Sequence, residues 1–579
     1  MIKNYSKKML LSALIGFLGF ASLNAQGMLR EIPLEQQVES SSLVVEGKVI
    51  SQESFWNTDH TNIYTVNTVE VYKVFKGQLL ETVQVVTKGG TVGTMAQKVS
   101  PSLGLNTNDV GVFTLANDTN VSPDAFRPYA GIQGFYKYDL NRNIASNPFH
   151  KVESIEAVYA EIESKTKTNF SEVLEFDLAK RGNKAAKNEK LLAPENITFS
   201  PSVISAGTKS VLTISGTGFG PVKGFVGFAN STDAGASVTY ALSSEVLTWT
   251  DTQITVEVPS MAGTGVVTVV ANDAVFDLYS SEEELTIPFA LLNNINAGQA
   301  YLAQHYASNG QGGLTWTLNS MFYTGNGANL ASFTRALDTW SCETGINWSV
   351  SDDQTISDSA GIDGENVVAF STNLSEGYLG ETSTYYNSCN NNDWVVAEVD
   401  IIFDVNTDWN YGPGPTFFQY DFESVALHEL GHAHLLDHVI DNDDPMDFNF
   451  GLAQDIRELN DTNREAASII ITNSTTNAIC DFPLMTEYSC ELSIEEDQLE
   501  SGVDLYPNPA NDAFFVKKAS SINLESVIIY DVNGRLISKH DASNTSGVQT
   551  ISLLGMSKGL YFVNINSDLA TITKKLIVK

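Results

Sequence analysis

The stretch Phe422–Met446, FESVALHELGHAHLLDHVIDNDDPM, decides how the rest of the chain is read. Its first dozen residues carry a helical apolar pattern, and within them stands His428-Glu429-Leu430-Gly431-His432. Residues four apart share one helix face, so His428 and His432 would present two imidazoles side by side. Two such nitrogens suit a zinc ion, whose N–Zn distances are about 2.0–2.1 Å. Glu429, next to the first histidine, is placed to reach a water near the metal without ligating it, a pattern with a known hydrolytic mechanism. A third ligand is needed. His434 falls roughly 200° round the helix from His432 and His438 roughly 240°, at about 100° per residue. His434 is therefore read as a packing or solvent residue. His438 can serve only if the chain turns sharply between His434 and Asp437.

The spacing His428, Glu429, His432, His438 resembles the H-E-x-x-H-x-x-G-x-x-H pattern of metzincins. Met446, in Asp444-Pro445-Met446-Asp447, stands where the matrixin branch places a methionine turn beneath the metal, and Phe448 takes the place of the tyrosine of other branches. The resemblance implies an α+β zinc metalloendopeptidase domain with His428, His432 and His438 as ligands, Glu429 as general base and Met446 as structural support. One position departs from the pattern: Leu435 occupies the turn-making glycine. Leucine enters the φ > 0 region at a cost that glycine escapes. A glutamate further on, Glu458 or Glu465, is the alternative third ligand.

The 579 residues exceed one domain, and several are expected. Hydrophobic residues make up 42% and charged ones 18%, enough to bury cores. A net charge of −36 argues against nucleic-acid binding, which calls for a basic face. Residues 1–25 read as a secretory signal, with Lys3, Lys7 and Lys8 before a short apolar run and Leu23-Asn24-Ala25 as the cleavage site. No other stretch is long and apolar enough to span a bilayer. Export permits disulfides. The four cysteines, Cys342, Cys389, Cys480 and Cys490, lack C-x-x-C spacing and are expected to pair as Cys342–Cys389 and Cys480–Cys490.

Residues 28–180 read as β-rich, with alternating segments at Ser42–Val49 and Tyr64–Phe75, and stand where a prodomain would. Gly89–Gly93 reads as a turn. The region contains no cysteine, so the cysteine switch of many matrixins has no counterpart here. A basic stretch, Lys180, Arg181, Lys184, Lys187 and Lys190, reads as a linker. Residues 194–290 resemble an immunoglobulin-like IPT/TIG β-sandwich, carried by Ile197–Pro201, Val211–Gly220, Trp249–Pro259 and Gly263–Val269, and are expected to be a spacer or adhesion module. The metzincin-like domain spans 296–482. In it Leu314–Leu318, Asn366–Ser371 and Val395–Phe403 read as strands, Leu330–Thr344 and Arg457–Ile471 as helices. The resemblance implies that an edge strand aligns an extended substrate there. Asp352, Asp353, Asp358 and Asp363 could hold a structural calcium. An acidic linker, 491–504, precedes residues 505–579, which resemble the C-terminal sorting domain of the type IX secretion system of Gram-negative bacteria. Its carriers are Leu505–Pro509, Val527–Gly534, Gly559–Val563 and Lys574–Lys579.

The expected activity is hydrolysis of peptide bonds in protein or peptide substrates by an exported zinc enzyme, secreted or held at the outer cell surface after passing through the periplasm with the type IX machinery as partner. The competing expectation is a surface adhesin carrying an inactive metzincin-like domain.

Overall fold

In the computed structural model the apolar periodicities become strands that enclose several separate cores. The structure describes residues 29–175, 194–271, 278–490 and 499–579, apart from short gaps at 119–120, 122–123, 141, 325–326, 391, 413, 416, 449–450, 500–501, 520–521, 533–534, 544–546 and 568–569. The expected signal, the basic linker and most of the acidic linker lie outside these residues. The chain divides into two units, Met1–Glu487 and Tyr488–Lys579.

The N-terminal region is built on β1 (Leu43–Trp56), β2 (Ile63–Lys76), β3 (Thr82–Lys88) and β6 (Val110–Asn117). Strand β1 pairs with β2 on one side and β6 on the other. Ala125–Pro128 joins β3 to β6, closing the ring of pairings. Alternation along β1 sends Leu43, Val45 and Val49 to one core and Val44 to a second. That second core also takes Val158 and Ile162 of helix α1 (Ile155–Thr166). Between β3 and β6 lies a hairpin, β4 (Gly90–Val92) and β5 (Met95–Ser100), which belongs to a different sheet. The stretch Gly89–Gly93, expected as a turn, is thus partly strand; its glycines at φ +142 (Gly90) and +63 (Gly93) let the chain reverse there.

Residues 194–291 form two four-stranded antiparallel sheets. One runs Glu195–Ser200, Val211–Thr217, Gln253–Glu257, Val246–Trp249. The other runs Val238–Tyr240, Phe225–Asn230, Ala262–Val270, Leu278–Leu285. Leu212, Ile214, Ile254 and Val256 of the first face Val226, Phe228, Val267 and Val269 of the second in one core.

The histidine-bearing region centres on a mixed sheet of β7 (Leu314–Asn319), β8 (Trp348–Thr355), β9 (Asn366–Ser371), β10 (Gly380–Ser388) and β11 (Trp394–Asp404), in the order β8-β7-β9-β11-β10. All neighbours are parallel except β10, which runs antiparallel to β11. Against the sheet pack α2 (Ala328–Thr344), α3 (Phe422–Ala433) and α4 (Asp461–Thr476). Their shared core holds Trp316, Trp340, Phe403, Phe422, Leu430 and Ile470. Helix α4 begins four residues later than the sequence suggests because Asn460 caps it: its side chain accepts from Asn463 N while the Asn463 side chain accepts from Asn460 N. The expected disulfide pairing is wrong. Cys389 bonds Cys480, with Cα atoms 5.5 Å apart across 91 residues, which excludes both Cys342–Cys389 and Cys480–Cys490. Sequence proximity favoured Cys480–Cys490, but the return of the chain after α4 brings Cys480 to the end of β10, where its sulfur also approaches Asp393 O.

The second unit contains a three-stranded sheet (Val503–Tyr506, Ala513–Lys518, Val548–Ser552) and a four-stranded one (Leu536–Asp541, Leu524–Asp531, Gly559–Ser567, Thr571–Val578). Phe514, Val516, Val527, Ile529, Val563 and Leu576 meet in its core.

Candidate metal centre

Helix α3 is capped by Asp421, whose carboxylate accepts from Ser424 N at 3.1 Å. Arg457 Nε donates to the same oxygen at 2.8 Å, which ties the helix start to the segment before α4. The helix ends at Ala433. Leu435 N donates to His432 O at 2.9 Å, and Leu435 itself takes φ +70. The left-handed residue that a glycine would usually supply is this leucine. Two contacts hold it there: Leu292 N donates to Leu435 O at 2.9 Å, and Leu436–Asp437 pair antiparallel with Ala290–Leu291. The turned chain brings His438 back toward the helix.

The three histidines converge. His438 Nε2 lies 3.1 Å from His432 Nε2 and 3.3 Å from His428 Nε2. Four tetrahedral ligands about 2.0–2.1 Å from a zinc ion stand roughly 3.3–3.4 Å apart, so the spacing fits. His428 Nδ1 donates to Pro445 O at 2.7 Å and His432 Nδ1 to Leu436 O at 2.9 Å. Carbonyls only accept, so both rings carry their proton on Nδ1 and aim the Nε2 lone pair inward. Burial pushes all three imidazoles below their usual range, His428 to about 4, and the neighbouring imidazoles add to this at His432 and His438. Neutral nitrogens with converging lone pairs repel one another unless a cation sits between them. The donor set therefore fits zinc. Among the described residues, this trio is the group of histidine, cysteine and carboxylate side chains whose ligand atoms lie close enough to share an ion.

Glu429 is fully buried beside the trio, and burial raises its carboxyl to about 8. Thr382 of β10 donates to Oε2 at 2.6 Å, while Oε1 has no partner. A β-carbon at Gly380 would lie 2.6 Å from that Oε1, so the carboxyl rests against bare backbone. Gly431 plays a similar part on the other side of α3, where an added β-carbon would stand 2.2 Å from Met446 Sδ. Met446 packs under the helix, on a turn shaped by Asp444, which accepts from Met446 N at 2.7 Å and from Asn463 Nδ2 at 3.0 Å. His434 lies away from the trio: buried, its Nε2 is 3.1 Å from Thr344 Oγ1 and its ring lies between Trp340 and Trp348.

Several expected residues are not at the site. Glu458 and Glu465 are exposed and lie outside the trio. Asp352, Asp353, Asp358 and Asp363 do not converge as ligands. Asp363 N instead donates to Glu398 Oε1 at 2.9 Å. Sequence reasoning missed Thr382 and Gly380, and also Ser100, whose Oγ lies 3.0 Å from His432 Nε2. No local signal marks them, because each reaches the site through sheet pairing far along the chain. A cavity of about 210 Å³ adjoins the site, lined by Lys98, Ser100, Asp437 and His438 among others.

Comparison with known proteins identifies two segments. Residues 194–287 match the IPT/TIG domain family, and residues 504–579 match the secretion system C-terminal sorting domain. The chain is therefore an exported multidomain protein, destined for the outer surface or the medium, with the type IX secretion machinery as partner. Among the described residues no helix is long and apolar enough to cross a membrane. Beta-agarase A of Zobellia galactanivorans is 42% identical over 84 residues, 14% of each chain. Among solved structures, latent PorU from Porphyromonas gingivalis is similar at 12% identity and a TM-score of 0.11, over 65% of this chain and 32% of that one. A biofilm-associated protein BSP domain is similar at 8% identity and a TM-score of 0.12, over 93% and 81%.

Proposed function

We propose that the chain is a secreted zinc-dependent endopeptidase, with an α+β domain of matrixin-like metzincin type in residues 296–482. The observation that carries this reading is the convergence of three neutral Nε2 atoms beside a buried, half-partnered carboxyl on the same helix. His428, His432 and His438 hold the metal as three nitrogen donors, each oriented by burial and two by backbone carbonyls. Zinc, when bound, supplies a Lewis acid that polarises a scissile carbonyl and acidifies a water. Glu429 takes the proton of the attacking water and delivers it to the leaving amine. Thr382 holds the carboxyl in position through Oε2, leaving Oε1 free for that transfer. Met446 supports the helix from below and touches no reacting atom.

Acid–base assistance of this kind is worth about 10²–10⁴ in rate. Glu429→Ala should therefore abolish casein cleavage while zinc stays near one per chain, measured by elemental analysis. His432→Ala should lose both. Zinc bound by the wild-type chain without any cleavage, under conditions where the site is open, would favour an adhesin whose protease-like domain is inert.

A further inference from the structure

The trio and Glu429 are between 0 and 2% exposed, which no protein substrate could reach. The cover comes from this chain. Strand β10 would be the free antiparallel edge of the histidine-bearing sheet, but β5 of the N-terminal region pairs with it along six residues, from Thr382↔Ser100 to Asn387↔Met95. We propose that β5 is a built-in occluding strand that keeps the site latent, and that an extended peptide reaches the histidines only after β5 leaves β10. This rests on the endopeptidase reading, and the experiment below separates the two.

Three features of the contact carry the inference. An unpaired sheet edge binds an extended peptide through main-chain hydrogen bonds, so β5 and an incoming peptide compete for the same groups. The register places Ser100 opposite Thr382, the residue that holds Glu429, and Ser100 Oγ rests 3.0 Å from His432 Nε2. The end of β5 therefore lies over the reacting groups. A hydroxyl is a weaker metal ligand than a thiolate, and the region has no cysteine, so exclusion by the strand is what would maintain latency.

The side-chain contacts that flank the strand pairing are polar. Lys88 Nζ meets Glu381 Oε1 at 2.6 Å, Gln97 Nε2 donates to Tyr385 OH at 3.2 Å, and Tyr385 OH donates to Asn62 Oδ1 at 2.8 Å. Of the residues before 194, the core beneath the histidines includes only Ala96. The two regions also share a small apolar cluster, Leu29 and Ile132 with Tyr378 and Phe448, so the polar strand pairing is the part of the contact that separates most readily.

The test uses the full chain with Lys88→Glu, with Val99→Pro, and with the charge swap Lys88→Glu/Glu381→Lys. Hydrogen exchange of amides 380–388 is followed in metal-free protein, alongside zinc loss to a chelator and casein cleavage by loaded protein. Exchange across 194–287 reports whether each variant is folded. Lys88→Glu and Val99→Pro should raise exchange of 380–388 at least tenfold, speed zinc loss and raise cleavage, and the swap should restore protection. Unchanged protection in both folded single variants overturns the proposal, whatever casein does. Lost protection and faster zinc loss with casein left intact would uphold the occluding strand and sink the endopeptidase reading.

Discussion

Replacing Leu435 by glycine and by alanine weighs backbone strain against packing at one position. At φ +70 a residue with a β-carbon carries roughly 1–2 kcal/mol of strain. Leu435 is also fully buried in the core beneath the histidines, and truncating such a leucine to alanine removes about 2–5 kcal/mol. Leu435→Ala keeps the strain and loses the packing. Leu435→Gly loses the packing but sheds the strain, so it should stand above the alanine variant by about 1 kcal/mol and fall below wild type by roughly 1–4 kcal/mol. Five of the seven tryptophans (Trp316, Trp340, Trp348, Trp394 and Trp409) lie in this core. Urea titration of metal-free protein followed by tryptophan fluorescence therefore reads the unfolding of the region directly. A glycine variant less stable than the alanine one would show that φ strain is not what glycine relieves. One more stable than wild type would show that the leucine side chain contributes nothing to packing.

Three other outcomes can be checked. His438→Ala should lose most zinc affinity, whereas Glu458→Ala and Glu465→Ala should keep it; titration with a competing chelator distinguishes them, and the reverse order would end the His438 assignment. Burial raises Glu398 to about 7, helped by the nearby Asp363 and Glu365. The folded chain thus keeps a proton that the unfolded chain releases near pH 4.3, and stability should decline as pH rises from about 4.3 to about 7. Glu398→Gln should flatten that decline in thermal melts, and an unaltered slope would refute it. Ending the chain before Asp504 should leave the product in the periplasm, and equal amounts of full-length and shortened chain in the medium would contradict the sorting role.

The helix around His428 and His432 was legible because one short segment carries its apolar period and its four-residue spacing. Three of the five strands of the mixed sheet were legible as apolar segments, Leu314–Leu318, Asn366–Ser371 and Val395–Phe403, whereas Trp348–Thr355 and Gly380–Ser388, which are more polar, were not. Leu435 could be marked as the place of strain because it stands where the resembled metzincin pattern has its turn-making glycine. The rest depended on pairing across long stretches of chain. Ser100 meets His432 across 332 residues, and Thr382 meets Glu429 across 47. Met95–Ser100 was not marked in the sequence, and nothing in it says which sheet it joins. Cysteine spacing misled because proximity in sequence says little about which ends the helices bring together.

The Cys389–Cys480 bridge encloses His428, Glu429, His432, His438 and Met446 within a single covalent loop. Closing a loop of that size restrains the unfolded chain by roughly 4.6 kcal/mol in the chain-entropy model. Chain made in a reducing cytosol forgoes this restraint until it reaches an oxidising compartment. Heterologous production should therefore be directed to the periplasm or include an oxidising refolding step; otherwise weak zinc retention would reflect the redox history of the sample and not the histidines.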